Sequence, residues 1–457
     1  MNQSFNMPNA RQIAAEILHD LDSGNHTLDT LLQRNDPLLC KLQRPDRALA
    51  HALIFGVLRW QSRLDWTLEH LLRQPKKKLD PLVRIILRMG LFQIDHLDRI
   101  PDSAVVHTAV DLVKTNNRKW AAGFVNGVLR NALRRTKPPP MPDIDKEPVT
   151  GLAVHYAFPP WLVSRWIQHW GIDATRTLCD AVNRIPDITV RANTLKTTRA
   201  NLIESLQSEA KSIAPTSHSP EGVRLVSPGR SMDKWSAYQR GWFQVQDEAA
   251  QIISHYLDPH PGMRIWDACA GLGTKTGHIA QLIKDQGQIM ASDLDREKLN
   301  KLGREMQRLG VSCVTTRPFD LQSPEPVDDL PPFHRILIDA PCSGLGVLQK
   351  NPDGKWRSTL ADIDICAKRQ LTIMENAVKH LQSEGVLVYA VCSVEPEENE
   401  WVVRSFLQKH REFVIHHPEM TSVSDARKLT TPDGFLQTLP HQNQMDGFFA
   451  AAFKRRI

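Results

Sequence analysis

The segment Arg264-Ile-Trp-Asp-Ala-Cys-Ala-Gly-Leu-Gly-Thr-Lys-Thr-Gly277 constrains the fold of this chain more than any other. It reads as a strand, then a glycine-bearing loop, then the start of a helix, and the chain beyond it keeps alternating. Segments 263–269, 288–293, 313–316, 335–339 and 386–392 read as strands, and 274–283, 297–309, 363–381 and 398–410 as helices. That alternation predicts a mostly parallel α/β sheet with helices on both faces. Ligands of such sheets bind beyond the carboxyl ends of the strands, where the glycine loop lies.

The chain upstream differs. From 1 to about 135, segments 10–21, 47–58, 60–72, 81–93, 103–114 and 123–135 carry apolar residues at helical spacing, which predicts an all-helical region. Pro37, Pro45, Pro75 and Pro101 fall between these segments, where helices start and stop. Lys137-Pro-Pro-Pro-Met-Pro-Asp143 reads as a stiff linker. A middle region mixes a helix over 156–170, a strand over 188–192 and a helix over 198–209. Trp166 and Trp170 share a face of the first of these, and a core stripe is the expectation for them rather than base stacking. The chain thus divides into three segments: 1–140, 150–240 and 241–457.

Charge separates the same segments. Residues 1–150 hold 22 Lys and Arg against 16 Asp and Glu, while the rest is balanced at 35 of each. An excess confined to one end suits contact with a polyanion, although a plain solvated surface reads the same way. No apolar run is long enough to span a membrane and no signal peptide is evident, so a cytoplasmic, membrane-free protein is expected. The seven cysteines show no CxxC or CxxH pairing, which argues against disulfides and against a bound metal, and leaves thiols free to react.

The loop itself points to a cofactor. Gly271 and Gly273 let backbone amides approach a ligand, and the helix start favours an anion such as a carboxylate. The next strand ends in Asp293, placed to accept from ribose hydroxyls, and a third leads to Asp320, placed to meet an adenine amino group. Each aspartate alone reads equally as a turn or cap residue. Taken together they suit S-adenosylmethionine better than a dinucleotide, with Cys269, Ala270, Gly271, Leu272, Gly273, Thr274, Lys275, Asp293, Asp320 and Asp339 as expected contacts.

Two cysteines end strands on the same sheet edge: Cys342 in Asp339-Ala-Pro-Cys-Ser-Gly344, and Cys392 in Val391-Cys-Ser393, followed by Glu395-Pro-Glu-Glu-Asn-Glu400. Cys40, Cys179, Cys313 and Cys366 read as inert apolar residues. The two cysteine motifs and the glycine loop resemble those of the NOL1/NOP2/Sun family of RNA cytosine-5 methyltransferases over roughly 240–457. The resemblance implies a class I, Rossmann-like methyltransferase in which Cys392 is the nucleophile, Cys342 acts at release and Asp339 contacts the base. The chemistry explains the thiol: carbon 5 of cytosine attacks a methyl donor only after a thiolate has added at carbon 6. Two departures stand out. The loop reads Ala270-Gly-Leu-Gly-Thr-Lys-Thr276 where the family has Ala-Ala-Pro-Gly-Gly-Lys-Thr, and the Cys392 strand reads Tyr-Ala-Val-Cys where Tyr-Ser-Thr-Cys is common.

The helical segment resembles the NusB-like RNA-binding fold through Arg47-Ala-Leu-Ala, Gly56-Val-Leu-Arg-Trp60, Leu87-Arg-Met-Gly-Leu-Phe92 and Gly123-Phe-Val-Asn-Gly-Val-Leu-Arg130, and Arg47, Arg59, Arg130 and Arg134 are candidates for phosphate contact. Arg191-Ala-Asn193-Thr-Leu-Lys196 resembles the family's small α/β RNA-binding connector, and Val245-Gln-Asp-Glu248 the lead-in to its methyltransferase sheet. The combination implies 16S rRNA as substrate and partner, no DNA, and a monomer. The rival readings are the same chemistry on tRNA, or a non-catalytic RNA-binding factor of antitermination or ribosome assembly.

Overall fold

The computed structural model describes residues 9–24, 26–72, 78–228, 231–323 and 330–456; the expected break at Pro75 lies outside them. The chain divides into two compact units, one of Met1–Arg184 with Asn351–Arg357, the other of Ile185–Lys350 with Ser358–Ile457. Among the described residues no helix is long and apolar enough to cross a membrane.

The first unit is helical. Ala10–Asp22, Pro81–His96, Asp102–Thr115 and Ala122–Arg134 match the predicted segments, and the predicted pair 47–58 and 60–72 is one helix, Arg44–Leu71, kinked at Trp60. A helix not read from the sequence, Leu28–Leu39, runs through Pro37 near its end and is capped by the Thr27 hydroxyl at its start. Pro37 thus lies inside a helix, not between two. Leu28, Leu31 and Leu39 join the same core as Ile13, Leu53, Ile86 and Leu129. Pro160–Asn183 follows, with Trp166 fully buried, as a core stripe requires.

The segment Asn351–Arg357 completes this unit. Lys355 is fully buried, donating to the backbone oxygens of Arg59 and Ala157 at 3.3 Å and to Asn183 Oδ1 at 2.6 Å. Its Nζ stands 3.7 Å from the centre of the Phe158 ring. Trp356 Nε1 donates to Leu58 O at 2.7 Å, and Leu28 N donates to Asp353. Arg59 itself is buried, so it is not available for the phosphate contact expected of it; Arg130 and Arg134 are exposed and Arg47 half-buried.

The second unit holds two sheets. Strands β1 (Ile188–Ala192), β2 (Ala210–Pro215), β3 (Gly222–Pro228) and β4 (Phe243–Val245) form an antiparallel sheet in the order β2-β3-β1-β4. Strands β5 (Arg264–Asp267), β6 (Gln288–Asp293), β7 (Val314–Pro318), β8 (Phe333–Asp339), β9 (Leu381–Val391), β10 (Phe413–His416), β11 (Leu436–Thr438) and β12 (Phe448–Arg455) form the large one. Its order is β10-β12-β9-β8-β5-β6-β7, with β11 paired to β12. Pairs from β9 to β7 are parallel, and those made by β12 are antiparallel. The chain leaves β5 toward β6 on one side and reaches β8 on the other, so strand order reverses at β5, where α/β sheets bind ligands. Apolar clusters pack on both faces, as the alternating pattern predicts.

Candidate active site

Four carboxyl strand ends meet at the reversal point. The loop after β5 is cinched by Ala270 N donating to Ser292 O at 2.8 Å and Gly273 N donating to Ala270 O at 2.9 Å. Gly273 sits at φ +80°, and a Cβ there would lie 2.4 Å from the Leu302 side chain, so a glycine is needed on both counts. Among the described residues no side chain caps the helix Thr274–Leu282, so its first N–H groups suit an anion.

Asp293 ends β6 and ties the loop to it: Oδ2 accepts from Gly271 N at 3.0 Å while Oδ1 accepts from Asp295 N at 2.9 Å. Lys275, buried in the first turn of the helix, donates to Asp339 Oδ2 at 2.6 Å and lies 5.0 Å from the Phe448 ring centre. Burial works against its charge, but the Asp339 charge and hydrogen bond, joined by Cys392 and Asp267, hold its pKa above the ordinary lysine value. Asp320 is not brought into this network. It lies exposed two residues beyond β7 and its Oδ1 accepts from Gln322 N, a turn contact. Leu272 is also exposed.

The sulfurs of Cys342 and Cys392, from the ends of β8 and β9, stand 3.3 Å apart. The hydrogen bond with Cys392, burial, and the Cys392 charge push the Cys342 thiol well above its usual pKa, so Cys342 keeps its proton. Burial does the same to Cys269. Of the cysteines read as inert, Cys179 is buried and Cys313 and Cys366 half-buried, whereas Cys40 is exposed.

Two acids unassigned by sequence reading shape the site. Glu398 is buried between the cysteine loops: Oε1 accepts from Ser343 N at 2.8 Å and Gln370 Nε2 at 3.0 Å, and Oε2 from the Ser343 and Ser393 hydroxyls, each at 2.5 Å. It therefore clamps the residue after Cys342 to the residue after Cys392. Its motif was visible among several acids, but nothing in the pattern says which one turns inward. Asp267, at the end of β5, accepts from Thr276 Oγ1 at 2.6 Å, and burial pushes its pKa up to about 7. Gly346 is packed against backbone: a Cβ there would lie 2.0 Å from Gly447 O and 2.9 Å from Cys392 O. Arg191 and Asn193, read as part of an RNA-binding connector, are buried struts. Arg191 donates to Gln281, Gln244, Gln246 and Thr274 O, and Asn193 to Gly241 O and Leu309 O.

The sheet order with an antiparallel β12 between β9 and β10, and the loop at the reversal point, define a class I methyltransferase fold preceded by a NusB-type helical region. Residues 254–454 match the family described as 16S rRNA methyltransferase RsmB/F, residues 8–134 the NusB family, and residues 158–231 the ferredoxin-like domain of the RsmF/B-like methyltransferases. The chain is 37% identical, over 98% of its length and 100% of the relative's, to a probable ribosomal RNA small subunit methyltransferase B of Synechocystis. It is 32% identical to the protein of that description in Bacillus subtilis, covering 98% of each chain. The crystal structure of PH0851 superposes with a TM-score of 0.81 at 25% identity, covering 98% of this chain and 99% of that one. The chain belongs to the ribosomal RNA small subunit methyltransferase B family.

Proposed function

We propose that this chain transfers a methyl group from S-adenosylmethionine to carbon 5 of a cytosine in 16S rRNA. The observation that carries the reading is the pair of thiols 3.3 Å apart beside the Lys275–Asp339 ion pair, on the edge that holds the glycine loop. The loop fits the methyl donor. An uncapped helix start suits its carboxylate, Asp293 at the end of β6 suits its ribose hydroxyls, and among the described residues the buried Oδ1 of Asp267 has no hydrogen-bond partner. When bound, S-adenosylmethionine supplies an electrophilic methyl group.

The chain's own groups do the rest. Cys392 adds as thiolate to carbon 6, and the Asp339 carboxyl, positioned by Lys275, holds the base at N3. Carbon 5, now electron-rich, takes the methyl group. A base then takes the carbon 5 proton, the freed electron pair re-forms the carbon 5–carbon 6 double bond and expels the Cys392 sulfur as thiolate, and Cys342 acts at this release. Segment 1–140, with exposed Arg130, Arg134 and Trp120, supplies RNA contacts, 150–240 connects, and 241–457 catalyses.

The test is transfer of labelled methyl to unmodified 16S rRNA, with tRNA alongside. We expect 5-methylcytosine in the rRNA, none with Cys392→Ala, and a covalent protein–RNA adduct with Cys342→Ala. Label in tRNA alone overturns the substrate; label surviving Cys392→Ala overturns the mechanism.

A further inference from the structure

Away from the thiols, three ligand-type side chains of the second unit converge from separate elements. Glu221 precedes β3, His255 lies on the helix Glu248–Tyr256 and His278 on the helix Thr274–Leu282. One donor atom from each lies within 4.8 Å of the others. Glu221 Oε2 is 2.9 Å from His255 Nε2 and 3.6 Å from His278 Nε2. Ligands about 2.0–2.1 Å from a tetrahedral zinc ion sit about 3.3 Å apart, a spacing these two distances bracket.

His278 supplies the second observation. Its side chain is completely buried, yet among the described residues neither ring nitrogen has a partner within hydrogen-bond distance, Glu221 Oε2 standing 3.6 Å from Nε2, an arrangement folded proteins avoid. Its neighbours are held as ligands are held. His255 Nδ1 is fixed by the Ser422 hydroxyl at 3.0 Å, which turns Nε2 toward Glu221. The turn before Glu221 is anchored by Glu248, which accepts from Ser219 N at 2.9 Å. A cavity of about 520 Å³, lined by His255, Ser422, Leu282 and His416, adjoins the cluster at His255.

The charge of buried Arg191 reaches His278 and opposes a cation here. The donor set must therefore win by nitrogen ligation, which favours a transition ion over magnesium or calcium.

We propose that Glu221, His255 and His278 bind one divalent transition-metal ion of the zinc type, with water from the cavity completing its shell. The sequence expectation of no metal rested on cysteine spacing; these donors are histidine and glutamate, brought together from distant positions by the fold. The ion fastens β3 of the small sheet to the helix that carries the glycine loop, so its role is structural.

The test uses the full chain with Cys342 and Cys392 changed to serine, so that the thiol pair takes up no metal. The protein is stripped with a chelator, then titrated with Zn²⁺ and Co²⁺. We expect one equivalent bound, visible Co²⁺ absorption of a nitrogen-and-oxygen site, and a thermal midpoint raised several degrees by Zn²⁺. Affinity falls at least about tenfold in His255→Gln and Glu221→Gln, and is kept in His260→Gln and His417→Gln, two exposed histidines of the cavity. Retention of metal in the first two variants, or its loss in the second two, overturns the assignment. Where the first two variants fail to fold, the parent decides: no visible Co²⁺ band means no site.

Discussion

Glu398 offers the sharpest test of how the thiol pair is held. Glu398→Ala removes an acceptor of four hydrogen bonds, and the donors do not suffer equally. The Ser343 and Ser393 hydroxyls, 3.3 Å apart, can rotate toward each other. Ser343 N cannot, and a stranded buried donor costs about 1–3 kcal/mol, while Gln370 Nε2 keeps Pro341 O at 3.0 Å and loses its second acceptor. The sum is about 3 kcal/mol, which at 2–4 °C per kcal/mol for a unit of this size lowers the melting midpoint by about 10 °C. Glu398→Gln behaves differently. Its oxygen still accepts from Ser343 N and Gln370, its amide donates to the two hydroxyls, and losing the charge relieves the burial that raises the pKa of Glu398. We expect a loss of about 1 kcal/mol and a shift of about 3 °C. Thermal unfolding followed by circular dichroism at neutral pH measures both, and methyl transfer should fall with the alanine variant far more than with glutamine. A glutamine variant melting as low as the alanine one would refute the account, because the charge and not the accepted bonds would then hold the loops.

Gly346→Ala should cost about 1–3 kcal/mol and, by displacing Cys392, slow turnover about 100-fold, read by unfolding and single-turnover assays. Lys275→Met leaves Asp339 without its 2.6 Å partner and should lower kcat/KM for methyl transfer about 100-fold with a changed pH profile; a profile unchanged in shape would contradict the positioning role. Asp267 binds a proton more tightly in the folded chain than unfolded, where its pKa is 3.8 rather than about 7. Its contribution therefore declines as pH rises between those values, by up to about 1.4 kcal/mol per unit, and is flat above. Asp267→Asn should flatten that slope in unfolding experiments run between pH 4 and 7, and an unaltered slope would assign it to another group.

The parallel half of the large sheet was readable because its strands are apolar runs, three of them closed by aspartate, and β6 falls on the predicted residues. Of the antiparallel strands only β1 was read, on its own residues. In β12, Phe-Phe-Ala-Ala-Ala-Phe carries little strand signal, and what makes it a strand is pairing with β9 and β10. The helix Leu28–Leu39 was masked by Pro37, which its last turn tolerates. At the site, the loop, Asp293, Lys275 with Asp339, and the two cysteines come together as expected, since each follows or ends a strand on one edge, Lys275 through the helix that the loop opens. Asp320 does not, because position after a strand says nothing about where its carboxylate turns. Arg59 misled for a similar reason: its place on a helix says nothing about which side is buried, and it turns inward beside the kink at Trp60.

The seven residues from Asn351 to Arg357 put a clock on synthesis. The first 184 residues of the helical unit are made long before these arrive, roughly 170 residues later in the chain. At ~5–20 residues per second the ribosome takes about 10–30 s to deliver them. Until then the pocket for Lys355 and Trp356 waits unfilled, with the carbonyls of Leu58, Arg59 and Ala157 and the side chain of Asn183 lacking their donors. The module made first is thus among the last to be finished, and a nascent chain stalled before residue 351 carries an incomplete one.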